Sequence, residues 1–148
     1  MYRDWGDPRE YTTGDMGVGE CAGEVVSPID FGLAAAEREA FEAQLTLEAG
    51  NFQKASDQAL ASMVTAAREL VTSKTPVGDS RSDIVREFRE KFFDTKLFWD
   101  PFAGGKFAQY FFSAVENPPQ SPTSDAAHRL VEEAQLFIEA AHSCRLKL

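Results

Sequence analysis

Cysteine is scarce in this sequence: there are only Cys21 and Cys144, near opposite ends of 148 residues. Neither has a second cysteine at metal-ligand spacing, and no four-cysteine set exists for an iron–sulfur cluster. Such sparing use fits a reducing, cytoplasmic compartment better than a disulfide scaffold. Positive charge is also short, with 15 Lys and Arg against 24 Asp and Glu and a formal net charge of -9. That balance argues against nucleic acid as a partner, because phosphate binding draws on clustered cations. The densest basic stretch, Arg81, Arg86, Arg89 and Lys91, is interleaved with Asp83, Glu87 and Glu90 and reads as a mixed-charge solvated helix face.

Long apolar runs are missing too. The longest stretch without a charged residue, Gln58 to Ala67, falls well below the roughly 20 residues that a membrane-spanning helix needs. Met1 to Glu10 is polar and charged, so no signal peptide and no membrane attachment are expected. No segment alternates with period two for long enough to make a sheet, and no internal repeat is visible.

What is present is a 43% hydrophobic chain of single-domain length, with twelve Phe against three Tyr and two Trp. Residues 1–26 hold five of the ten glycines and show no sustained periodicity, which predicts an irregular arm. Helical signals then begin. Ser27 is a capping residue, Pro28 suits the first helical position, and Asp30 places a carboxylate in the first turn. Leu33, Ala36, Ala40, Ala43 and Leu47 form one stripe, and Gly50 ends it. From Asn51 to Ser73, Phe52, Ala55, Ala59, Met63, Ala66 and Leu70 make a second stripe beside Leu60, Val64, Ala67 and Val71. The short bend predicts an antiparallel hairpin.

After a loop at Thr75 to Ser80, Ile84, Val85, Phe88 and Phe92 mark a third helix to about Thr95. Asp100-Pro101 is the start signal for a fourth helix reaching about Glu116, with Gly104 and Gly105 weakening its first turn. Pro118, Pro119 and Pro122 make Asn117 to Ser124 a semi-rigid connector. A last helix, from about Asp125 to Ser143, carries Ala127, Leu130, Ala134, Phe137 and Ala141 at alternating three and four. The expected architecture is all-α, an antiparallel bundle of about five helices over residues 27–148 behind the arm of residues 1–26.

Candidate chemistry is thin. Asp125 precedes His128 by three and Glu139 precedes His142 by three, the spacing of a di-iron ligand unit in helical bundles. Both pairs lie on one helix, fourteen residues or roughly 21 Å apart, so they do not meet within one chain. Both histidines project at the edge of the apolar stripe and read as solvated flank residues. Cys21 and Cys144 have no His nearby in sequence, and Gly14, Gly17 and Gly19 precede no strand–turn–helix phosphate motif. No catalytic, metal or cofactor-binding residue is therefore assigned. The arm keeps the candidate interaction residues Asp15, Glu20, Cys21 and Glu24, set among glycines that permit a tight docking loop. Glu20 and Glu24 disfavour a thiolate at Cys21. The Phe-rich third and fourth helices offer a further edge for self-association.

The hairpin of Leu33 to Leu70, with Leu47-Glu48-Ala49-Gly50-Asn51-Phe52 at its bend and an Ala-rich second helix, resembles HEPN-type domains, which are antiparallel helical bundles. The arm stretch Asp15-Met16-Gly17-Val18-Gly19-Glu20-Cys21-Ala22-Gly23-Glu24 resembles the junction before a HEPN-like C-terminal domain in some sirohaem-dependent sulfite/nitrite reductase-like proteins. The resemblance implies a non-catalytic accessory or assembly domain whose partner is a reductase body or a second copy. Sirohaem and the iron–sulfur cluster would belong to that body, upstream of Tyr2. It also leaves a stand-alone nucleotide- or RNA-binding HEPN-like module as the alternative. RNA-cleaving members use an Arg followed four to six residues later by His, and no Arg here has a His at that distance.

Overall fold

In a computed structural model the structure describes residues 27–148, which are all-helical apart from their connections. The helices are α1 (Pro28–Glu48), α2 (Phe52–Thr72), α3 (Arg81–Phe88), α4 (Lys106–Glu116) and α5 (Ser124–Arg145), and a π-helical turn, Arg89–Phe93, continues α3. The five-helix bundle expected from the sequence is the observed fold. The arm and its candidates Asp15, Glu20, Cys21 and Glu24 lie outside the described residues.

Local chemistry sets the ends of α1 and α2. The Ser27 hydroxyl accepts from the Asp30 amide at 3.2 Å and donates to the Asp30 carboxylate at 2.9 Å, so cap and first turn hold each other. At the bend, Gly50 adopts φ +86, a left-handed conformation that costs a residue with a Cβ, and its amide donates to the Leu47 carbonyl at 2.9 Å. One residue on, the Asn51 side chain caps α2 by accepting from the Lys54 amide.

α2 is the central element and packs against every other α-helix, with α1 and α5 as its most extensive neighbours. Its double stripe explains this. Ala55, Ala59, Met63, Ala66 and Leu70 are buried together with Leu60, Ala67 and Val71, so more than one flank faces inward. Small side chains bring the backbones close: a Cβ on Gly32 of α1 would fall on the side chain of Glu69 of α2.

The aromatic half of the core is organised by the π turn. In an α-helix Phe92 lies one turn from Phe88, and Phe93 points well away from it. The i→i+5 spacing, seen in the Asp94 amide donating to the Arg89 carbonyl at 2.8 Å, turns both Phe92 and Phe93 toward the bundle. Phe88 then stacks on Phe92 and meets Phe98, Phe111, Phe112 and Phe137 with ring centroids 5.0–6.0 Å apart. Phe93 packs edge-on to Phe112.

α4 begins at Lys106, five residues later than the Asp-Pro signal suggests. Asp100 does act as a cap, but of a tight turn: its carboxylate accepts from the amides of Phe102 and Ala103 at 2.9 and 2.6 Å, and its backbone pairs with Gly104. The Trp99 ring lies against Gly104, which has φ +62, and Gly105 has no room for a side chain between Phe93 and Trp99. The proline-rich connector after α4 is tied down by Gln53, whose amide nitrogen donates to the Pro119 carbonyl and whose oxygen accepts from the Ser121 amide at 2.7 Å.

Candidate interaction surface

The two histidines part company in the structure. His128 is exposed, and its Nδ1 lies 2.9 Å from the Ser124 carbonyl one turn earlier, a local contact at the start of α5. His142 is half-exposed, and its Nε2 lies 2.9 Å from Oε2 of Glu37 on α1, 105 positions away in sequence. Thus Glu37 rather than Glu139 faces it. Among the described residues no group of three or more His, Cys, Asp or Glu side chains is placed to hold a metal ion. Cys144 is buried in the core face of α5, and burial pushes its thiol up to about 11.

The His142–Glu37 contact belongs to a seam between α1 and α5. At its end Arg145 donates to the Asp30 carboxylate at 2.6 Å, and this bond, with the Ser27 hydroxyl, holds the Asp30 carboxyl below its usual range. On the other flank of α5, the Arg129 guanidinium sits 5.4 Å from the centre of the Tyr110 ring. Burial raises both the Tyr110 phenol and the Glu133 carboxyl beside it, against the pull of Arg129.

Large apolar side chains stand in solvent both in the stretch around the third and fourth helices and on α1. Phe88, Phe92, Phe98, Phe111 and Phe112 are all core, so the Phe-rich third and fourth helices turn most of their rings inward and leave Phe93, Phe107 and Tyr110 part-buried at the edge. Phe102 is the exception at 98% exposed, displayed at the tip of the Asp100-capped turn.

The second exposed set is on α1, where Phe31 is 67%, Phe41 62% and Leu45 50% exposed. With 3.6 residues per turn, Phe31, Ala34, Arg38, Phe41 and Leu45 fall within roughly 80° of arc, opposite the core stripe of Leu33, Ala36, Ala40, Ala43 and Leu47. α1 therefore has two apolar faces. Beside the outer one runs a shallow groove of about 270 Å³ between α1 and α5, lined by Glu37, Ala40, Phe41, Gln135, Ile138 and Glu139. These residues are individually ordinary in sequence. Their one signal is that Phe31, Phe41 and Leu45 fall outside the core stripe yet share a face with each other. No helix among the described residues is long and apolar enough to cross a membrane.

No protein-family model, no curated protein and no solved structure matches the chain.

Proposed function

We propose that this chain is an accessory domain without catalytic groups of its own, working through self-association or partner contact. We propose further that the partner is the body of a sirohaem-type sulfite or nitrite reductase. The observation that carries the first part is the outer face of α1, where two Phe and one Leu stand in solvent on a helix fully anchored by its opposite side. Contiguous apolar surface of this kind marks interaction sites. The second part rests on the junction-like stretch Asp15 to Glu24 and on the HEPN-like hairpin, and it places sirohaem and the iron–sulfur cluster in the partner. The acidic balance and the absence of an Arg-to-His spacing favour this reading over an RNA-directed module.

Sedimentation of the full chain, alone and mixed with a purified sirohaem-containing reductase body, tests it. The expected result is a self-complex, or sirohaem absorbance travelling with the chain. A chain that stays monomeric and leaves the reductase boundary unchanged overturns it. So would cleavage of mixed RNA that is lost when His128 and His142 are both replaced.

A further inference from the structure

The outer face of α1 is close to symmetric about its midpoint, to within one residue. Measured from Arg38, its members stand at minus seven (Phe31), minus four (Ala34), plus three (Phe41) and plus seven (Leu45). We infer that this face is the contact for a second copy of the chain, with two α1 helices packed antiparallel across a two-fold axis that passes close to Arg38. The inference rests on the interaction reading above and names its partner.

A two-fold contact requires one patch to complement itself, so that residue i meets residue j and j meets i. In this register Phe31 lies opposite Leu45 of the other copy, and Phe41 lies opposite Ala34, so two large side chains meet and a ring fills the space over a methyl. Packed helices run with axes 8–10 Å apart, a distance such large-on-small pairing allows. Charge agrees with the same register. The Arg38 guanidinia approach each other near the axis, and each comes within one turn of Glu42 of the other copy, which offsets their repulsion. Arg38 and Glu42 are both exposed. A parallel pairing sets Phe31, Phe41 and Leu45 each against its own copy and loses the large-on-small match of Phe41 with Ala34.

One face of a 21-residue helix is a small interface. It falls in the class below about 1,200 Å² in total, where association is weak and depends on concentration. Dimer content should therefore rise steadily across the micromolar range.

The test is sedimentation velocity on the full chain and on Phe41→Glu, Arg38→Glu and the double variant Arg38→Glu/Glu42→Arg. All altered residues are exposed, so each variant should keep the helical circular dichroism of the parent. The parent should show a monomer–dimer equilibrium. Phe41→Glu should shift it to monomer by at least tenfold in dissociation constant, and Arg38→Glu should weaken it. The double variant, which exchanges the charges across the axis, should recover most of that loss. Register is read separately by Arg38→Cys in a Cys21→Ser background, which should form a disulfide-linked dimer under mild oxidation, whereas Glu48→Cys should not. A parent that is monomeric at every concentration overturns the inference. A dimer insensitive to Phe41→Glu overturns it too, but leaves the accessory-domain reading standing, because the chain still assembles through another face.

Discussion

Replacing Phe88 by Ala removes the ring on which the aromatic half of the core is built. The side chain is fully buried and meets five other rings, on α4, on α5, in the π turn and in the loop after it. Truncating a buried Phe costs about 3–5 kcal/mol, from lost transfer energy and the cavity left behind. The upper half of that range applies here, because rings held from several elements at once collapse poorly into the space and each aromatic pair adds about 0.5–1.5 kcal/mol non-additively. For a folded unit of roughly 120 residues, an unfolding entropy near 2.1 cal/mol/K per residue converts 4 kcal/mol into a fall in Tm of about 16 °C. Urea titration followed by helical circular dichroism, with the m-value checked for two-state behaviour, gives the number directly. Phe102→Ala is the control: the same chemical change at a 98% exposed site should stay within about 0.5 kcal/mol of the parent. A loss below about 1.5 kcal/mol at Phe88, or similar losses at both positions, would refute the idea that this ring cluster organises the core.

Three other outcomes follow from single sites. The Asp30 carboxyl is held low by Arg145, so its contribution to stability is complete above the usual aspartate value near pH 4 and is lost as the pH falls through the folded value; Asp30→Asn should flatten the acid limb of a stability–pH curve, and parallel curves would count against the pairing. With a thiol near 11, Cys144 in a Cys21→Ser background should resist a thiol-reactive probe at pH 8 and react fully once urea unfolds the chain; rapid labelling of the native protein would contradict its burial. Gly105→Ala would set a Cβ 2.8 Å from the Phe93 ring and 3.0 Å from Trp99 and should cost about 1–3 kcal/mol, whereas Gly78→Ala meets nothing within 4 Å and should be neutral or slightly stabilising, as paired melting curves will show.

The long helices were legible because their signals are local. Ser27 with Pro28, Gly50 with Asn51, and the alternating three-and-four stripes of α1, α2 and α5 locate those elements without any knowledge of what they pack on. Two features of the third and fourth helices were not. The π turn depends on where Phe92 and Phe93 find room against Phe88, Trp99 and Phe112, which periodicity does not encode. Asp100 has the right chemistry for a helix cap, yet Gly104 and Gly105 allow a tighter turn that uses the same carboxylate first. The candidate surface was harder still. Its members share a helix, but their exposure is decided by which flank of α1 lies against α2 and α5. The Glu37–His142 contact joins residues 105 apart, and neither side chain announces the other.

The π turn also sets where this bundle tolerates a change in length. An α-helix packed on several sides, such as α2, admits no deletion, since removing one residue rotates everything beyond it by about 100° and carries half of a buried stripe into water. Between Phe88 and Phe93 the chain already holds one residue more than regular winding requires. Losing one of Arg89, Glu90 or Lys91 would let the coil relax to ordinary pitch while Phe93 keeps its direction, one turn beyond Phe88 and against Phe112. The surplus residue is thus a built-in slack, and sequences of differing length at this point can share the same aromatic centre.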